Sequence, residues 1–254
     1  MPWNDRGDPR IRRGAVTAAV LLTAWAVVGL LVPTVLPGPV TVAGRLPELF
    51  GPGPGGEALV HLGVSFVRVG IASAIALVLA VCFGVLLATW PPATKGVGPW
   101  LPFWMTVPSL VVVLVTMVLF NFSTVSVIAA VVVVATPFAA VNVWEGAADV
   151  DGELVRMAAV HGAAPGLVLR EIYLPAVLPA IFGSARFLLS MVWKVVVLAE
   201  TFGLSTGMGA LFRFWFNQGD LVALLAALAV FVAVMVGMQA ALTRIEDRVF
   251  AWRP

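Results

Sequence analysis

The segment EGAADVDGELVRMAAVHGAAPGLVLREIYLP, Glu145–Pro175, decides how this chain is read. It is the longest polar interval between two apolar runs of membrane grade. It holds seven charged residues (Glu145, Asp149, Asp151, Glu153, Arg156, Arg170, Glu171) in a chain where charge is scarce. Of 254 residues, 61% are hydrophobic and 11% charged, and the mean hydropathy is +1.05. A soluble domain carries roughly 25% charged residues, so this chain has too little charge to wet its own surface. The composition implies an all-α, multi-pass membrane protein. An outer-membrane barrel is excluded, because its strands would alternate apolar and polar residues instead of staying apolar for about 20.

Working outward from that segment, six runs are long enough to cross a bilayer: 15–36, 60–89, 99–120, 124–143, 176–200 and 221–243. The expected organisation is a single transmembrane domain over 1–254 with about six helices and a polar loop at about 145–175. Basic residues precede the first run, which is too long for a signal peptide and reads as an uncleaved helix. Lys and Arg placement orients the frame. With the N-terminus inside, the inner segments hold Arg6, Arg10, Arg12, Arg13, Lys95, Arg156, Arg170, Arg244, Arg248 and Arg253, ten residues, against Arg45 and Arg213 outside. Both termini and the 145–175 loop are then expected in the cytoplasm. The net charge of +2 is accounted for by this bias and implies no nucleic-acid partner.

Several connectors carry their own signals. Pro37–Gly56 is rich in Pro and Gly, with a short interfacial helix expected at Thr41–Phe50. Trp90–Gly96, WPPATKG, reads as a tight turn, since two prolines cannot continue a helix. Pro102 and Pro108 lie in the third run, and the fourth is expected to end near Pro137; prolines in spanning helices free carbonyls that neighbours must satisfy. Thr201–Asp220 is too polar and Gly-rich to span. Its cluster of Phe212, Phe214, Trp215 and Phe216 with Arg213, Asn217 and Asp220 fits an aromatic belt at the outer interface, or a re-entrant helix in which Phe212, Trp215 and Asn217 line an outer mouth.

Within the loop, Asp151 is placed to cap a helix whose first turn holds Glu153. Leu154, Met157, Ala158 and His161 then fall at i, i+3, i+4 and i+7, one helical face, and Gly162 stands where a helix ends. A second short helix is expected at Leu167–Tyr173, leading to Pro175. Such a surface helix with small apolar residues is suited to a groove on another protein.

The spacing resembles the signature loop of permease subunits of ABC importers. There a Glu-Ala-Ala triplet is followed after three residues by Gly, and after nine more by Ile-x-Leu-Pro. Here Arg156-Met157-Ala158 stands at the triplet, Gly162 at the glycine and Ile172-Tyr173-Leu174-Pro175 at the end. Arg156 and Met157 depart from the pattern, and Glu153 lies one turn before the position of the family's acid. The resemblance extends to Pro137, Asn142 and Gly146, to Gly183–Arg186, Trp193-Lys194 and Ala199-Glu200, to Ser205–Gly209 as a near match, and to the tail Arg248–Arg253; these are similar to nitrate/sulfonate/taurine-type permeases. It implies a type I ABC importer permease fold working as one of two permease chains, expected to be a homodimer. Two cytoplasmic ATPase subunits would receive the loop through Glu153, Arg156, Met157, Ala158, Ala159, His161, Gly162 and Pro175, and an external solute-binding protein would deliver a small anionic solute. ATP and Mg belong to the partner ATPase, because this chain has no phosphate loop.

Charge inside the membrane is costly and marks candidate sites. Arg186, Ser190 and Lys194 recur every fourth residue on one face of the fifth run, with Glu200 near its outer end on another face. Two cations on one face suit a path for an anion. They are also compatible with Arg186 bonding to carbonyls and Lys194 snorkelling outward. The lone Cys82, the two histidines and the scarce acids form no metal or catalytic cluster, so no enzyme activity of the chain's own is expected. The alternative function, a secondary transporter or channel without an ATPase, predicts intramembrane acids in symmetric broken helices; Glu200 alone qualifies, and no repeat is visible.

Overall fold

A computed structural model describes residues 9–33, 35–53 and 55–249. The described residues are helical with connecting turns. In order these are α1 (Pro9–Leu31), α2 (Pro39–Arg45) with a 3-10 turn at Leu46–Phe50, α3 (Ala58–Thr89), α4 (Pro91–Gly96), α5 (Trp100–Met105), α6 (Ser109–Leu119), α7 (Thr124–Ala148), α8 (Gly152–Val160), α9 (Pro165–Val168), a π-helical turn at Leu169–Tyr173, α10 (Leu174–Gly203), α11 (Met208–Gln218) and α12 (Leu221–Val249). Arg6 and the Phe250–Arg253 part of the basic-aromatic tail lie outside the described residues.

Four of these helices are long and apolar enough to cross a bilayer: Ala58–Thr89, Thr124–Ala148, the continuous Pro165–Gly203 and Leu221–Ile245. Val16–Leu31 and Ser109–Leu119 are shorter apolar helices. The 99–120 run is therefore not one helix. Pro108 disfavours the α region at the residue before it, and the chain breaks over Thr106–Pro108 between α5 and α6. The Trp90–Gly96 turn is itself helical: its two prolines sit at the start of α4, where a missing N–H costs nothing.

The described residues divide into two compact units, those within 9–58 together with 212–230, and 59–211 together with 231–249. In the first, the Trp25 indole donates to the Pro37 carbonyl at 3.0 Å. Arg45 bonds Glu48 and, at 2.9 Å, Asp220, and lies 5.9 Å from the Trp215 ring centre. Hydrogen bonds to Glu48, then to Asp220, hold the Arg45 guanidinium above its ordinary pKa.

The second unit carries the main core. Ala72, Ala76 and Ala80 of α3 form a stripe at helical spacing, and with Val69 they pack among buried residues of α6, α7 and α10. Small residues let membrane helices approach until van der Waals contact replaces the missing hydrophobic drive. The fully buried Trp193 anchors this core, edge-on to Phe66 at 6.2 Å and to Phe231 at 5.3 Å.

Helix α7 starts on a capping box between Ser123 and Ser126 and does not end near Pro137; it continues to Ala148. Pro137 cannot bond the Val133 carbonyl four residues back. That carbonyl is taken instead by the Trp104 indole N–H at 3.2 Å. A neighbouring helix thus repairs the gap, which is why the proline is tolerated. Trp104→Phe removes the donor and is expected to lower stability by about 1 kcal/mol, read as a drop in the thermal midpoint of the purified protein. An unchanged midpoint would show that the repair is unnecessary.

Candidate functional site

The polar loop is mostly helix. Because α7 runs to Ala148 and the next membrane helix begins at Pro165, only 149–151 and 161–164 are non-helical. Helix α8 forms where the sequence placed it. Asp151 caps it, its carboxylate accepting from the Glu153 N–H at 2.8 Å. Gly162 ends it with φ +72, in the left-handed region where a Cβ is penalised. The Gly162 N–H bonds the Ala159 carbonyl and the Ala163 N–H bonds the Ala158 carbonyl, both at 3.0 Å. This pair of bonds is the Schellman arrangement that closes a helix over a glycine. His161 caps the end, its Nδ1 2.8 Å from the Met157 carbonyl.

The two sides of α8 differ. Val155 and Ala158 are half-buried, whereas Leu154, Met157 and Val160 are exposed, Val160 by 85%. The apolar ridge therefore points away from the chain. Arg156 is exposed beside it. At the triplet, the position that keeps alanine is the inward one, where size is limited. Behind the helix lies an open cavity of about 560 Å³, lined by Thr89, Val155, Ala159, Ala163, Leu169 and Tyr173.

The expected second short helix, Leu167–Tyr173, is not separate. It is the start of one continuous helix, Pro165–Gly203, 39 residues and roughly 58 Å long. The π-helical turn at Leu169–Tyr173 lies just before Pro175. A proline ring presses on the carbonyl four residues back, here that of Glu171, and widening the turn relieves that contact. So α8 sits at the foot of a rod that runs on through the core.

On that rod, Arg186 and Lys194 are exposed and Ser190 is half-buried. Ser190 donates to the Arg186 carbonyl at 3.2 Å and receives the Gln239 side-chain amide of α12. The every-fourth-residue line is thus a polar face.

Glu200 departs from it. The expected path residue is fully buried, with 0% exposure. Its carboxylate accepts from Arg68 Nη1 at 2.8 Å, from the Ser65 hydroxyl at 2.7 Å and from the Gly209 N–H at 3.1 Å. Arg68, 4% exposed, also donates to the Thr206 carbonyl (2.7 Å), the Thr206 hydroxyl (3.0 Å) and the Thr124 hydroxyl (3.1 Å). Ser65 accepts from the Met208 N–H at 2.8 Å, and His61 Nδ1 from the Gly207 N–H at 3.0 Å. Gly207, at φ +109, lies so close that a Cβ there would stand 2.1 Å from the Glu200 carboxyl carbon. Sequence reasoning missed this cluster. The available signal was His61, Ser65 and Arg68 at i, i+4 and i+7 of α3, one polar face in an apolar helix.

Of the expected mouth residues, Phe212 and Trp215 share one face of α11 and Asn217 is exposed on another. At 11 residues, about 16 Å, α11 is too short to span.

Residues 80–250 match the model of the family described as binding-protein-dependent transport system inner membrane component. Among similar proteins, the Bacillus subtilis chain named as an aliphatic sulfonates transport permease, SsuC, is 30% identical over 200 residues, 78% of this chain and 71% of that one. The formylaminopyrimidine transport permease ThiX of Halalkalibacterium halodurans is 21% identical over 240 residues, 92% and 93% of the two chains. A chain of the MetNI methionine ABC transporter, solved in inward-facing conformations, superposes with a TM-score of 0.65 at 20% identity, over 73% of this chain and 93% of that one. The fold is thus that of a type I importer permease, and the chain belongs to the binding-protein-dependent transport system inner membrane component family as a permease subunit of an ABC importer.

Proposed function

We propose that two copies of this chain line the path of an importer for a small organic anion of the sulfonate class. Both termini and α8 face the cytoplasm of a bacterial cell, and the chain sits in its inner membrane. Each α8 docks in one of two ATPase subunits, which bind the ATP and Mg, so the chain itself is no enzyme. An external binding protein hands over the solute. The observation that carries this reading is the outward apolar ridge of α8, Leu154, Met157 and Val160, at the foot of the continuous Pro165–Gly203 helix. Apolar groups raised from a wetted surface find their partner in an apolar groove. The solute class is supported by the two exposed cations, Arg186 and Lys194, on one face of that helix, and by the 30% identity to a chain named for aliphatic sulfonates.

The test is reconstitution of the permease with its ATPase and binding protein in liposomes, with labelled taurine and ethanesulfonate as probes. ATP-stimulated uptake of either is expected. A permease that purifies without an ATPase and transports on an ion gradient alone would reject the importer reading in favour of a secondary transporter. Lys194→Ala is expected to leave assembly intact and lower uptake by roughly tenfold, the scale of one lost charge contact. Unchanged uptake kinetics would remove Lys194 from the path.

A further inference from the structure

The Arg68–Glu200 cluster includes no residue of α8 and none of the Arg186–Lys194 face. A buried ion pair is no better for stability than well-packed apolar side chains of the same size, and in a membrane helix it is expensive to build. What such a pair supplies is fixed geometry. Here the geometry is unusually determined. Three α3 side chains, His61, Ser65 and Arg68, reach the single turn Thr206–Met208, and Glu200 of α10 closes the ring from the other side. The turn leaves no room to shift, because Gly207 lies directly against the Glu200 carboxylate.

We propose that Arg68 and Glu200 are positioning residues that fasten the far end of the Pro165–Gly203 helix and the following turn to α3, so that both move as one body during transport. The inference rests on the importer reading. The rod begins beside α8 and ends in the clamp. A displacement at the α8 end is delivered to α3 through these charged hydrogen bonds, and not only through apolar packing that can slide.

The experiment uses the full complex carrying Cys82→Ser, assembled from one permease copy spin-labelled at Val60→Cys on α3 and Ser205→Cys in the turn, both exposed positions, and one unlabelled copy, so that only the distance within one chain is read. Their distance is measured without nucleotide and in the ATP-trapped state. A single narrow distance that is the same in both states is expected. A distance that changes between the states, in a complex that imports taurine or ethanesulfonate, would overturn the clamp and leave the importer reading standing. Absence of ATP-driven uptake in the unlabelled complex would overturn the importer reading itself.

A variant adds a second, independent readout. Arg68→Met/Glu200→Gln leaves no unpaired buried charge, so assembly and ATP hydrolysis are expected near normal. Solute imported per ATP is expected to fall roughly tenfold, within the range of allosteric couplings, with a broadened label distance. Normal uptake per ATP with an unbroadened distance would show that the pair is dispensable.

Discussion

Val160→Glu is expected to strip the ATPase chains from the permease. Val160 is 85% exposed at the end of the α8 ridge. A carboxylate there must be desolvated to enter an apolar groove, at a cost of several kcal/mol if it finds no partner. At about 1.4 kcal/mol per tenfold in affinity, docking should weaken by more than a hundredfold. The variant should fold normally, because nothing in this chain contacts the side chain closely enough to bury it. Its thermal midpoint should match the parent, while the ATPase no longer co-purifies and uptake is lost. Co-purification at the normal ratio would show that α8 is not the docking element. Arg156→Glu, which restores the family's charge at the triplet, is the informative companion: unchanged assembly and coupled ATP hydrolysis would mean that position does not set the contact.

Gly207→Ala is expected to do the opposite, sparing the docking surface and destroying the fold. At φ +109 an alanine is strained by about 1–3 kcal/mol. Its Cβ would also stand 2.1 Å from the Glu200 carboxyl carbon, so the carboxylate must leave its place. That breaks a buried ion pair from one side, a loss of about 3–5 kcal/mol. Together these approach the whole stability of an ordinary domain, about 5–15 kcal/mol. The variant should fail to yield a monodisperse protein. Gly219→Ala is the control. Gly219 also has positive φ, +69, but nothing lies within 4 Å of the added Cβ, so only the backbone term of about 1 kcal/mol remains. Equal loss in both variants would mean that strain alone, and not the Glu200 contact, governs the site.

The fold class was legible because a bilayer imposes it: 20 apolar residues in a row have few other uses. The α8 helix was legible in detail because its ends are decided locally, by the Asp151 carboxylate and the Gly162 backbone. What could not be read was anything settled across the fold. Pro137 signals a helix end by every local rule, and only Trp104, thirty-three residues away, overrides it. Glu200 and Lys194 are six residues apart, with equal claim to a polar path. Their different fates depend on Arg68 and Ser65, which lie far off in sequence. The break at Thr106–Pro108 was hidden by an apolar composition that continues through it. Membrane grade tells where the chain is greasy and not where it is straight.

The π turn at Leu169–Tyr173 also sets the phase of the helix that carries it. A widened turn is equivalent to one residue inserted into an α-helix, and one residue is about 100° of rotation. The helix therefore continues through the turn with its phase changed. Below the turn Leu167 looks outward; above it Val177 is buried in a small satellite core with Val85 and Val143. Two facings are carried on a single axle, so the end beside α8 and the end that packs into the membrane bundle can each hold its own azimuth.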